Sequence, residues 1–75
     1  MTSELISYIA RDIERIAAEV PSLRPRVGHT RAIARSIYED HQEDLEVDRY
    51  NEVNGVDLER VLGEIRSDNP TWFIQ

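Results

Sequence analysis

Apolar residues recur along residues 3–20 at the spacing of one helical face. Ile6, Ile9, Ile13, Ile16 and Val20 are separated by three, four, three and four positions. Leu5, Ala10 and Ala17 widen this stripe, while Arg11, Asp12, Glu14, Arg15, Ala18 and Glu19 fall outside it and are assigned to water. A helix of this length gains most of its stability by lying against something apolar. Two partners are open to it. One is the rest of its own chain; the other is a second copy, meeting it through Ile6, Ile9, Ile13 and Ile16 as a short homodimer seam. Two heptads fall short of the three or four that mark a coiled coil, which favours an intramolecular bundle.

Thr2 or Ser3 is the expected N-cap of this first helix. Pro21 disfavours a helical conformation in Val20, so the helix should stop there. Residues 21–28 hold two prolines and a glycine and read as an ordered connector, with Leu23 and Val27 turned back onto the core. Thr30 is the expected cap of a second helix over residues 30–42, with Ile33, Ala34, Ile37, Tyr38 and His41 on its inner face. Beyond Gln42 the register falters, because Leu45, Val47, Tyr50 and Val53 do not extend the stripe. One reading is a single helix from 31 to 53 with a bend. The reading adopted is a break, with Asp44 capping a separate helix over 44–53.

Asn54-Gly55 is then a turn between helices, since neither flank alternates with period two. Asp57 caps a last helix over 57–67, whose Leu58, Val61, Leu62 and Ile65 form a compact apolar face. Gly63 within it costs about 1 kcal/mol relative to alanine. Asp68, Asn69 and Pro70 end that helix and open a tail over 68–75, in which Trp72, Phe73 and Ile74 are expected to dock on the core. The fold expected is all-α: a small single-domain helical bundle of three or four helices.

Composition narrows the chemistry. With 75 residues, 40% hydrophobic and 32% charged, the chain is one globular domain close to the smallest that folds unaided. There is no cysteine, which excludes disulfides, thiolate zinc sites and cysteine nucleophiles. A domain this small without disulfides is expected in a reducing, cytoplasmic setting, in a bacterial or phage-infected cell. No apolar run approaches the roughly 20 residues of a membrane span, and no signal peptide is expected. All nine basic residues are arginine, as codon bias in a GC-rich genome would produce; a demand for planar, bidentate contacts would leave the same mark.

The net charge of −6 is unevenly distributed. Residues 1–35 carry six arginines and four acids, whereas residues 36–75 carry three arginines and eleven acids. Three stretches are candidates for function. The acidic residues Glu39, Asp40, Glu43, Asp44, Glu46 and Asp48, with Glu52 beyond, suit a partner protein with a basic surface. A DNA mimic that blocks the groove of a nucleic-acid-binding protein is the concrete version, as in inhibitors encoded by phages and mobile elements. Trp72 and Phe73 join this candidate surface if the tail is left open.

The alternative is a dimeric helix-turn-helix DNA-binding regulator using Arg24, Arg26, Arg31 and Arg35. The sequence pI near 4.7 opposes the basic footprint that nucleic acid requires. His41 with Asp40, Asp44 or Asp48 offers metal-binding residue types but no recognised metal motif, so no metal or cofactor is expected. No serine lies in a glycine-rich elbow, and neither His29 nor His41 has a nucleophile at catalytic spacing. The sequence is read as that of a non-enzymatic protein.

Overall fold

The computed structural model describes residues 2–74. Three helices, α1 (Thr2–Glu19), α2 (Thr30–His41) and α3 (Leu58–Asp68), make up most of the fold. Single 3-10 turns at Pro21–Leu23 and Pro70–Trp72 flank them. A small antiparallel hairpin, β1 (Glu46–Val47) and β2 (Val53–Asn54), interrupts the helical order between α2 and α3. The molecule is thus mostly helical with a two-stranded sheet, and differs from the plain bundle the periodicity predicts.

The stripe on α1 forms the centre of the core. Ile6, Ile9, Ile13 and Ala17 are buried against Ile33, Ala34 and Ile37 of α2 and Leu58, Val61 and Leu62 of α3. The stripe packs within its own chain, the favoured of its two readings. Ile6, Ile9 and Ile13 are covered within a single chain, and Ile16 is half-buried, so this face is not left for a second copy. The helix closes as the sequence requires: Val20 N–H still reaches the Ile16 carbonyl at 2.8 Å, and Pro21 then opens a 3-10 turn.

Leu23 folds back as expected, but Val27 does not. Val27 stands 96% exposed on a turn in which Gly28 takes φ +86°. Residues 24–26 pair instead with the tail, through Arg26 N–H to Trp72 O and Ile74 N–H to Arg24 O, each 2.9 Å. Pro25 lies opposite Phe73 at the non-hydrogen-bonded position of this bridge, where its missing N–H costs nothing. Phe73 is fully buried and Trp72 half-buried, so the tail docks through these two, whereas Ile74 stays 44% exposed.

The helix expected over 44–53 is absent; those residues form the hairpin. Asp44 is not an N-cap, since its N–H bonds to His41 O at 2.9 Å and closes α2. Asp48 explains the break. Its Oδ1 accepts from the N–H groups of Tyr50 at 2.8 Å and Glu52 at 3.0 Å, offering the backbone an alternative to helical bonds. Asn51 takes φ 62°, a left-handed conformation that asparagine tolerates better than most residues. Leu45 and Val53 cover the core from the two arms, and the exposed Val47 and Tyr50 belong to the strand and tip. Gly55, also at positive φ, lies so close to the hairpin base that a Cβ would fall 1.9 Å from Asp44 O. Only glycine fits there.

The caps divide. Asp57 caps α3 as expected, its Oδ1 accepting Arg60 N–H at 3.3 Å. Thr2 and Ser3 are already helical, so neither caps α1. The N-cap of α2 is His29, which makes no side-chain cap bond, while the Thr30 hydroxyl donates to Glu14 Oε1 at 3.0 Å and ties α2 to α1.

Candidate interaction surface

Glu39 and Asp40 lie exposed in the last turn of α2, and Glu43, Asp44, Glu46 and Asp48 follow, all exposed, into the hairpin. They form a strip along consecutive chain rather than rows on one helix. Among the described residues, ion pairs join only Arg11 and Arg15 to Asp12 and Arg60 to Glu64. The strip is thus uncompensated. Glu39 and Asp40 also sit at the negative end of the α2 dipole, where His41 is the favourable residue and carboxylates are not.

Asp48 differs from the rest. Besides the two loop N–H groups, its Oδ2 accepts from Asn54 Nδ2 at 3.4 Å. The Glu52 N–H, the largest influence, holds its carboxyl below the usual 3.8. The Tyr50 N–H and Asn54 amide add to this, against an opposing rise from partial loss of hydration. A depressed folded pKa stabilises the hairpin above the unfolded value, and the contribution disappears as pH falls through the folded one. Acidification below pH 3.8 should therefore release the Tyr50 and Glu52 amides, seen as loss of their dispersed shifts in an NMR titration. In Asp48→Ala those amides should be exchange-labile already at neutral pH.

Two side chains of α1 hold the hairpin from behind. The Arg11 guanidinium donates to Asn51 O and lies 5.5 Å from the centre of the Tyr8 ring. Asp12, one position along, is 2% exposed and accepts the Val53 N–H at 3.0 Å through Oδ2. Asp12 lies outside the apolar stripe, where the periodicity predicts exposure, and is buried nonetheless. Its partner lies 41 positions away, a pairing that helical spacing does not reveal.

The arginines proposed for nucleic acid are exposed, but two of them have structural duties. Arg31 donates to Ser7 Oγ at 3.1 Å and Ser3 Oγ at 3.4 Å, bracing α2 on α1. Arg26 donates to Thr71 O at 3.4 Å. Arg24 and Arg35 enter no ion pair among the described residues. Consecutive helices are joined by residues 20–29 and 42–57, far longer than the three- or four-residue turn of a helix-turn-helix.

In the tail, Trp72 is half-buried, Phe73 has no exposed surface and Ile74 is 44% exposed. Phe73 is therefore corrected from candidate partner contact to core. Arg26, Val27 and His29 face Pro70, Thr71, Phe73 and Ile74 across an open groove of about 840 Å³. His29 Nδ1 is itself buried, with no hydrogen-bond partner among the described residues, an arrangement that costs about 1–3 kcal/mol. No group of three or more potential ligands for a metal ion occurs among the described residues, and no helix is long and apolar enough to cross a membrane.

These features describe a class no narrower than a small, mostly helical globule with an acidic flank. Comparison of the chain with protein-family models, curated proteins and solved structures finds no match.

Proposed function

We propose that the protein is a non-enzymatic interaction module whose acidic strip binds a basic, nucleic-acid-binding surface of a partner protein, acting as an inhibitor of the phage or mobile-element kind. The observation that carries this reading is the uncompensated row Glu39, Asp40, Glu43, Asp44 and Glu46. Structural need does not explain it. Carboxylates at the C-terminal end of a helix oppose its dipole, and neighbouring like charges repel. Solubility needs net charge but not this placement.

The test is capture from a nuclease-treated bacterial lysate on bait tethered at its N-terminus. One saturable partner should bind, and the combined substitution of Glu39, Glu43 and Asp44 by arginine should abolish its capture. The same substitutions should leave the melting temperature unchanged or slightly raised, because they relieve the dipole and like-charge terms. Loss of binding is then not loss of fold. Retention of duplex DNA in the absence of nuclease, removed by Arg24→Glu and Arg35→Glu, would replace this reading with the regulator.

A further inference from the structure

Asparagine occurs at Asn51, Asn54 and Asn69, and the residue that follows each decides its chemistry. A backbone nitrogen that attacks the Cγ of the preceding asparagine closes a five-membered imide and expels ammonia. Asn69 is followed by Pro70, whose nitrogen has no proton to lose. Asn51 is followed by Glu52, whose side chain crowds the attack and whose N–H is given to Asp48 Oδ1 at 3.0 Å. Asn54 is followed by Gly55, which has no side chain to obstruct its nitrogen.

The fold requires this reactive pair. Gly55 takes φ +91°, and a Cβ there would fall 1.9 Å from Asp44 O, so a bulkier residue does not fit. Asn54 Nδ2 donates to Glu52 O at 3.2 Å and to Asp48 Oδ2 at 3.4 Å, so the hairpin uses an amide at this position. Both residues are exposed to water. Asp48 N–H bonds to Glu52 O at 3.1 Å, which makes Glu46 and Asn54 the next hydrogen-bonded pair of the ladder. Gly55 lies one residue beyond that pair, and its N–H meets no acceptor among the described residues.

The hairpin restrains the reaction. Ring closure requires Asn54 to leave the extended conformation of β2 and its amide to release both acceptors. Strands of two residues, held by Asp48 and Asp12, open locally at less cost than the whole fold. We propose that Asn54 is a self-modification site: in the opened hairpin the Gly55 nitrogen attacks Asn54 Cγ, and Asp48, by holding the amide and the loop, sets how often this happens. The Gly55 nitrogen loses its proton to hydroxide and bonds to Cγ; the Cγ–Nδ2 bond breaks and ammonia leaves. Water then opens the imide at either carbonyl, giving aspartate or, with the backbone rerouted through Cγ, isoaspartate. The net change is amide plus water to carboxylate plus ammonium. The product does not close as before. A carboxylate replaces a donor that lay 3.4 Å from Asp48 Oδ2, and isoaspartate lengthens the backbone beside Gly55, where Asp44 O leaves no room. The hairpin thus opens one way and gains a negative charge. This chemistry belongs to the chain alone and does not depend on the acidic strip binding a partner.

The experiment holds the intact chain at neutral pH and 37 °C. Ion exchange follows its charge, and peptide mapping that distinguishes aspartate from isoaspartate locates the change. A more acidic species should accumulate, altered at Asn54 and unaltered at Asn51 and Asn69. The same chain in denaturing urea should convert faster, since no hairpin restrains it. Asp48→Ala should convert about tenfold faster than wild type, because losing its charge-assisted bonds frees the hairpin to open. Its helical circular dichroism should be unchanged, which separates hairpin opening from unfolding. Asn54→Gln, whose longer side chain closes a six-membered ring poorly, should abolish the conversion. Asn54→Asp should lose the dispersed Tyr50 and Glu52 amide shifts, as the modified chain does. An unchanged rate in Asp48→Ala, or a rise that comes with lost helix, would overturn the proposal. So would a native chain that stays unmodified while the urea-unfolded chain converts.

Discussion

Phe73→Ala should destabilise the protein by about 3–5 kcal/mol, the usual cost of emptying a core aromatic site. A domain of this size is expected to hold only about 4–11 kcal/mol in total, so the variant should be partly unfolded at 37 °C. Phe73 is fully buried, and its neighbours Trp72 and Ile74 carry both hydrogen bonds of the bridge to residues 24–26. Removing the ring therefore loosens the tail and the connector together. Urea unfolding followed by circular dichroism gives the measurement, with the midpoint falling and the slope held. Phe73→Leu, which fills most of the space, should cost about 1 kcal/mol. If the alanine variant unfolds with wild type, the tail does not close the core in solution.

That residue also marks where periodicity stops being informative. The three helices follow from apolar spacing, because Ile6, Ile9 and Ile13, Ile33 and Ile37, and Val61 and Leu62 meet one another in the core. Helical periodicity describes one face against one neighbour. It says nothing about Leu23, Leu45, Val53 and Phe73, which reach the core from connectors and a tail. Docking of the tail follows from need, as a small domain has few apolar residues to leave out. Val27 fails the same argument, because the turn at Gly28 turns it outward.

The hairpin departs from the expected helix for a different reason. Residues 44–53 are compatible with helix one by one, and the signal against it lies in Asp48 and Asn51, whose side-chain bonding and left-handed tolerance are local turn chemistry. Asn54-Gly55 was legible as a turn. Its role at the base of a hairpin was not, because strands of two residues are too short to show alternation. As for the candidate surfaces, exposure of the acidic residues follows from their chemistry. The groove does not follow from sequence at all, since it exists only where residues 26–29 meet residues 70–74.

Asp12→Ala should cost about 2–3 kcal/mol and lower the melting temperature by roughly 10–20 °C, a large effect for one residue outside the apolar stripe. The cause is the Val53 N–H, which is buried and donates to Asp12 Oδ2 at 3.0 Å. Alanine leaves that donor without an acceptor, and the penalty for an unmet buried group exceeds the net worth of an ordinary hydrogen bond. The arginines contribute little by comparison. Arg15 and Arg11 approach Asp12 Oδ1 only to 3.7 and 4.0 Å, and their side chains are 62% and 53% exposed, so solvent screens both pairs. Arg15→Ala should accordingly cost less than about 0.5 kcal/mol. Asp12→Asn keeps an acceptor oxygen and should fall between, near 1 kcal/mol. Amide exchange at Val53 separates this account from a purely coulombic one. Protection should collapse in Asp12→Ala, survive in Asp12→Asn, and be untouched in Arg15→Ala. Equal losses in Asp12→Ala and Arg15→Ala would mean that the charge pair holds the hairpin and the hydrogen bond does not. Because the acidic strip runs into β1 and the Asp48 loop, the unpaired hairpin of Asp12→Ala should also bind the proposed partner more weakly while keeping every strip carboxylate. Such a loss would measure how far the proposed surface depends on being held in shape by α1.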